Sequence, residues 1–370
     1  MFTNCLSYPQ IRDRHAKIPT TVAEWARLES TPIFRVFRPN NLELAKVGES
    51  RRSDWERLKV EEPATDGEKS GIAILILAHK NPLQTRRLVE HLDHDFDVFV
   101  HIDRRSKMRE TDFLGFSRTA VVKKFRTTWG SLGIVRATLE LFHLAAGGHG
   151  HDRYVLISAQ DVPLMTNQQI ISFFARNRGV DYLEMNTVGP SDKSVLERIT
   201  TWHFFRKSIR SWGWLQKGPA TYLLTRLAAG FGRTVNRLFM ASGMRRPMNF
   251  APFYGSQWMD LRAETVENLL QFVRQDPRFL NRFRFTHAPD EFFFQTAIGN
   301  CGARPSVARP QRFIDWDRGP EHPRVLRLED LPRLESSTMM FARKFDDSID
   351  ADVINKLYAR LRPPNTPGTA

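Results

Sequence analysis

The chain has 370 residues, 41% of them hydrophobic and 26% charged, which excludes a wholly disordered or fibrous protein and leaves room for one large domain or two ordinary ones. Lys and Arg number 55 against 41 Asp and Glu, a formal net charge of +14, so an anionic partner is expected: a nucleic acid, a membrane surface or a phosphorylated ligand. Two cysteines, Cys5 and Cys301, cannot build a disulfide framework, and no Cys-x-x-Cys or paired-His pattern suggests zinc.

Residues 1–69 are polar and lack a strong period, with a short helix expected around Val22–Leu28 and a linker from Glu61 to Lys69; they read as an N-terminal appendage. No apolar leader opens the chain, and no run approaches the roughly 20 apolar residues of a membrane span. The expected location is therefore cytoplasmic, with at most a peripheral hold on the inner membrane.

Order is expected from Gly71. Ile72-Ala-Ile-Leu-Ile-Leu77 is a continuous apolar run of strand length, as in a strand covered on both faces. Asn81 suits an N-cap, Pro82 a first helical position and Gln84 a capping box, so a helix is predicted through Leu92. Strands are predicted over Val98–Ile102, Val121–Phe125, Tyr154–Ser158 and Val180–Glu184, and helices over Ile134–Leu144 and from the Thr166-x-x-Gln169 capping box through Ala175. This alternation predicts an α/β sandwich with a mostly parallel central sheet. From Arg206 to Arg246 the composition changes: nine basic residues, Arg206, Lys207, Arg210, Lys217, Arg226, Arg233, Arg237, Arg245 and Arg246, occur without one acidic residue and are interleaved with aromatics and leucines. Residues 198–250 read as a basic insert, and 202–246 as a surface that could lie on anionic lipid. Helices are predicted again over Ala263–Val273 and about Asp290–Ile298, and a helix and tail close the chain over 349–370.

In open α/β sheets ligands bind beyond the carboxyl ends of the strands. That rule selects Ala78-His79-Lys80, Asp103-Arg104-Arg105 and Ala159-Gln160-Asp161. There is no Walker motif, no Gly-x-Gly-x-x-Gly and no Gly-x-Ser-x-Gly. Two Asp-x-Asp strings, Asp95-Phe-Asp97 and Asp315-Trp-Asp317, are weak evidence for a metal, and the first precedes a strand instead of following one. Glu291, at the start of a helix, reads either as an N-terminal carboxylate or as a general base. Phe341-Ala-Arg-Lys-Phe-Asp346 reads either as a surface ion-pair segment or as a clamp on a phosphate.

Nine strings, in this order, resemble the core-2/I-branching β-1,6-N-acetylglucosaminyltransferase family, which includes peptide O-xylosyltransferases. They are Ile76-Leu-Ala-His-Lys-Asn81, Val100-His-Ile-Asp-Arg-Arg-Ser106, Trp129-Gly130, Ala137-Thr-Leu139, Ser158-Ala-Gln-Asp-Val-Pro-Leu164, Tyr254-Gly-Ser-Gln-Trp258, Pro289-Asp-Glu291, Ile314-Asp-Trp316 and Phe341-Ala-Arg-Lys-Phe-Asp346. The match covers about residues 71–348 and looks most like the bacterial members. The resemblance implies a GT-A fold over residues 70–348 and an inverting, metal-independent transfer of a sugar, N-acetylglucosamine or xylose, from a UDP-sugar to a hydroxyl of a glycan, polysaccharide or protein. No cofactor is implied. It assigns Glu291 as the catalytic base and Lys344 as a diphosphate ligand, with Arg324 or Arg343 as companion. His79, Asp103 and Asp161 fall on the donor side; Glu184, Tyr254, Trp316 and Arg318 fall on the acceptor side. Arg318 stands where a mucin-type enzyme has an aromatic residue, which puts a mucin-type acceptor in doubt. The competing class is a basic membrane-surface or nucleic-acid-binding protein without catalysis, but no nucleic-acid motif accompanies the charge, so no specific nucleic-acid partner is expected.

Overall fold

A computed structural model describes residues 71–148, 150–203, 234–235, 237–239, 241–302, 305–317 and 323–361. The N-terminal appendage, Cys5, Arg318 and the basic residues from Arg206 to Arg233 lie outside these.

The apolar run forms β1 (Ile72–Ala78), buried along all seven residues. Side chains alternate across a strand. Ala73, Leu75 and Leu77 therefore enter one core, with Val135, Leu141 and Phe142 of the helix α2 (Leu132–Ala146). Ile72, Ile74 and Ile76 enter the other, with Leu88, Val89 and Leu92 of α1 (Pro82–Asp93). Each such side chain stabilises the fold by about 1.5–3 kcal/mol when fully buried, which explains why this strand carries no polar residue.

Strands β2 (Asp97–Ile102) and β4 (Arg153–Ser158) flank β1 in parallel, and β3 (Thr119–Val122) extends the sheet beyond β2. β3 stops three residues short of its expected end. Phe125 turns away to donate its N–H to His101 Nε2 at 3.0 Å, and their rings stack. Burial holds His101 neutral, its pKa lowered to about 4, so its ring nitrogen can accept. The helix α3 (Asn167–Arg176) opens on the expected Thr166/Gln169 capping box. Beyond β4 come β9 (Met259–Arg262), antiparallel to both neighbours, then β6 (Val180–Leu183) and β10 (Ser306–Ala308), giving the order β10-β6-β9-β4-β1-β2-β3. The expected α/β sandwich with a mostly parallel sheet is present.

A second sheet joins β5 (Asp161–Pro163), β12 (Phe341–Arg343) and β11 (Arg312–Ile314), with β12 central. β5 follows β4 after two residues, so this sheet is fastened at the carboxyl edge of the large one. A short pair, β7 (Asn186–Thr187) with β8 (Phe253–Tyr254), lies beyond β6. Further helices are α4 (Lys193–Thr200), α5 (Ala263–Gln275), α6 (Pro277–Arg282), α7 (Phe293–Asn300), α8 (Leu331–Glu335) and α9 (Ala351–Leu361). α9 lays Val353, Ile354, Leu357, Tyr358 and Leu361 on Ala342 and Phe345, an apolar stripe at helical spacing.

Arg246 departs from the basic surface expected over 202–246. It is buried, lies 5.4 Å from the Trp202 ring, and donates to Ile199 O and Thr286 Oγ1. With Arg282, which donates to Ile199 O at 3.2 Å, it places positive charge at the carboxyl end of α4, where the helix dipole favours cations. Arg237 and Arg245 are exposed. No described helix is long and apolar enough to cross a membrane.

Candidate active site

The loop after β1 does not behave as its capping pattern predicts. Asn81 sits at φ +56 and makes no side-chain cap; its amide donates across the site to Asp346 (2.7 Å) and Asp347 (2.8 Å). Gln84 likewise turns to the other loop, donating to Ala159 O and Phe345 O and accepting from Asp347 N at 2.9 Å. Both polar residues tie the β1 loop to the segment after β12, Asn81 through the carboxylates of Asp346 and Asp347 and Gln84 through backbone groups. Lys80 completes the junction with an ion pair to the buried Asp346. The carboxyl group of Asp346 is held well below the ordinary range: hydrogen bonds from Lys80, Ser348 and Asn81 outweigh the burial that would raise it.

His79 and Lys344 meet at this junction. Partial burial, then the charges of Lys80, Arg343 and Lys344, hold the His79 imidazole below its ordinary pKa, against the opposing pull of Asp103. The Lys344 ammonium is also lowered, first by burial, then by Arg343 and Lys80. Among the described residues no carboxylate lies within ion-pair distance of it. Asp103 is nearby but occupied: one oxygen accepts from Arg105 N (2.7 Å), the other from Thr127 N (2.7 Å) and Thr127 Oγ1 (2.8 Å). It ties the loop after β2 to the loop after β3.

Both arginines assigned as companions of Lys344 are committed to carboxylates. Arg343 lies opposite Asp161 in the β5–β12 pairing, 3.3 Å from its carboxylate, and its guanidinium sits 3.9 Å from the centre of the Trp258 ring. Asp161 also accepts from Ser158 N. Arg324 is bound by Asp330 and by Asp315 (2.9 Å), which push its pKa up. Arg333 adds a contact to Asp315 at 3.1 Å. This cluster, joined by Asp317 N on Asp315 Oδ1, fixes the loop that presents Trp316 at 39% exposure. Here the Asp-x-Asp string is a structural knot whose first carboxylate is saturated by arginines.

A second group assembles around Gly255. Its N–H donates to Glu291 O (2.9 Å), and Ser256 N donates to Glu184 Oε2 (3.0 Å). Glu184 Oε1 accepts from Asn186 Nδ2, and Asn186 pairs with Tyr254 across β7–β8. The Tyr254 hydroxyl is pushed above its ordinary pKa by burial and then by Asp192 and Glu184. Glu291 lies in the 3₁₀ turn Pro289–Glu291, separated from α7, where the sequence predicted one helix from about Asp290. Its carboxylate is ion-paired with Arg198, whose guanidinium lies 4.8 Å from the centre of the Phe292 ring. Trp258, two residues past Ser256, brings this group up to Arg343. Gly255 is required by the packing: a Cβ there would stand 1.9 Å from Glu184 O. Gly255→Ala is expected to cost about 1–3 kcal/mol through this overlap and to impair activity, since the turn holds the Glu184 carboxylate and the Glu291 backbone carbonyl. A melting temperature and rate equal to wild type would refute that.

A family model described as Branch, Core-2/I-Branching enzyme, matches residues 72–339, most of the chain. The chain belongs to the Core-2/I-Branching enzyme family. This is a glycosyltransferase family. Among similar proteins are xylosyltransferase 2 of Canis lupus familiaris, 24% identical over 347 residues covering 85% of this chain and 36% of the relative, and the human protein at the same figures. β-Glucuronosyltransferase GlcAT14B of Arabidopsis thaliana is 24% identical over 314 residues, 80% of this chain and 66% of the relative. The chain thus spans about a third of the length of the xylosyltransferases it matches. A solved active-site mutant of LgtC overlaps 79% of this chain and 98% of its own at a TM-score of 0.34 and 10% identity.

In this Core-2/I-Branching family member the fold gathers His79, Asp103, Asp161, Arg343 and Lys344 at one edge, and Glu184, Tyr254 and Glu291 around one turn. Arg324 and Trp316 share a third cluster, and Arg318 is outside the described residues. Sequence reasoning missed three residues. Arg198 lies 93 positions from its partner Glu291, at the boundary of the basic stretch. Gly255 and Ser256 stood inside a quoted string, and the Tyr-Gly-Ser run was the available signal for a tight backbone approach.

Proposed function

We propose that this chain moves a sugar from a UDP-sugar to a hydroxyl on a glycan, polysaccharide or protein, with inversion and without a metal. The observation that carries the reading is the contact of Arg343 with Trp258. It joins the cationic edge, with Lys344, to the turn that holds Glu184 and Glu291. A diphosphate suits the cations; an incoming hydroxyl suits a carboxylate one turn away.

In the proposed step the acceptor oxygen forms a bond to the anomeric carbon. The bond from that carbon to the β-phosphate oxygen breaks on the opposite side, and its electron pair leaves with UDP. The hydroxyl proton passes to Glu291. Arg198 engages Oε2, which leaves Oε1 to take the proton. Lys344 stabilises the charge that grows on the leaving diphosphate. Asp161, the carboxylate after β4, is engaged by Ser158 and Arg343, which favours cationic side chains over a metal in this role. Glu184, Tyr254 and Trp316 are read as acceptor contacts.

UDP release should be measured with UDP-N-acetylglucosamine, UDP-xylose and UDP-glucuronic acid against oligosaccharide and peptide acceptors, with and without EDTA. Release from one donor, unchanged by EDTA, is the expected result. Activity abolished by EDTA and restored by manganese would overturn the metal-free reading, and no release from any pair would overturn the transfer itself.

A further inference from the structure

We infer that Lys80 is a second side-chain ligand of the donor's diphosphate, held in position by Asp346; this rests on the UDP-sugar reading above. The family resemblance left the companion of Lys344 to Arg324 or Arg343; Arg324 is hydrogen-bonded to the buried Asp315 and Asp330, and Arg343 is turned to the buried Asp161 at 3.3 Å and lies over the Trp258 ring. Lys80 is differently placed. It lies two residues past the carboxyl end of β1, in the position where ligands of open α/β sheets are found. Its partner Asp346 lies two residues past Lys344, so one carboxylate registers the two lysine-bearing loops against each other.

The anchor is rigid. Asp346 Oδ1 accepts from Asn81 Nδ2 (2.7 Å), Ser348 Oγ (2.6 Å) and Ser348 N (3.2 Å), and its side chain is 6% exposed. The Lys80 side chain remains 40% exposed. An ammonium has three donors. Asp346 engages one, which leaves the exposed remainder of the ammonium to meet an incoming anion, and the ion pair has already removed much of the rotamer freedom that binding would otherwise freeze. The neighbouring Lys344 ammonium is destabilised by burial, Arg343 and Lys80, a concentration of like charge that an anion relieves. Asp346 acts through Lys80 and is a positioning residue.

The test compares UDP with uridine by titration calorimetry on the full chain. Lys80→Gln should weaken UDP by about 10-fold or more, the scale of one charge-assisted hydrogen bond, and leave uridine within about twofold. Lys80→Arg should recover most of the loss. A Gln variant that binds UDP as wild type does, or loses UDP and uridine equally, overturns the inference. Lys80→Gln leaves Asp346 without its cation, so where its melting temperature falls, Lys80→Gln with Asp346→Asn is read by the same two ligands and the same criteria. Wild-type protein that binds neither UDP nor uridine would sink the donor reading, and Lys80 with it; wild-type binding with an indifferent Lys80 would sink the inference alone.

Discussion

Glu291→Gln is expected to lower kcat by about 10²–10⁴-fold, the contribution of a positioned general base, with UDP affinity and melting temperature close to wild type. The substitution keeps the size of the side chain and an oxygen that can accept from Arg198. It removes the negative charge and the ability to take a proton. Stability should hold because the Arg198–Glu291 pair is partly open to solvent, 27% and 38% exposed, and such pairs contribute only about 0–1 kcal/mol. The 3₁₀ turn should hold too, since it is fixed by backbone bonds, Glu291 N on Ala288 O and Gly255 N on Glu291 O. Single-turnover transfer with saturating donor and acceptor separates the chemical step from binding. Transfer at the wild-type rate would remove Glu291 from the mechanism. A parallel loss of UDP affinity would move it to the donor side.

Hydrophobic runs were the most legible part of the chain. The uninterrupted Ile72–Leu77 segment announced a strand buried on both faces, and it has two cores to fill. The Thr166/Gln169 box was equally plain, because a cap is settled within four residues. Asn81 and Gln84 carry the same local signal and behave otherwise: 265 residues away, Asp346 and Asp347 compete for their side chains. Charge was the least legible property. Arg324, Arg343 and Arg246 looked like cations open to a phosphate or a lipid, but a sequence does not display a counter-ion that arrives from another strand. Each is in fact held by carboxylates or by carbonyls at a helix end. The same blindness hid Arg198 beside Glu291. Position at the carboxyl edge of the sheet selected His79 and Lys80 without reference to their partners; Lys344, which joins them from the segment after β12, was marked only by the Phe341–Asp346 string.

Asp260→Ala is expected to destabilise the protein by about 3–5 kcal/mol, the effect of leaving one member of a buried ion pair alone. Asp260 lies in β9, an interior strand of the large sheet, and Arg312 begins β11 in the small one; their side chains are 0% and 1% exposed. Arg312 also donates to Leu156 O (3.3 Å) and lies 4.9 Å from the Phe341 ring centre. With the carboxylate gone, the guanidinium is left buried without its counter-ion. Urea denaturation measures the cost. Replacing both groups by apolar residues, Asp260→Leu with Arg312→Met, should recover most of it, because no isolated charge remains. A single variant within about 1 kcal/mol of wild type would show the pair to be idle. The pair also bears on the site. β11 is hydrogen-bonded to β12, which ends at Arg343 and leads into Lys344. Loosening the junction of the two sheets should therefore weaken UDP binding in Asp260→Ala, and the double variant should restore it along with stability. If UDP affinity in the single variant stays at the wild-type value while stability drops, the cationic edge is held by Asp346, Asp161 and the small sheet alone, without the large sheet beneath it.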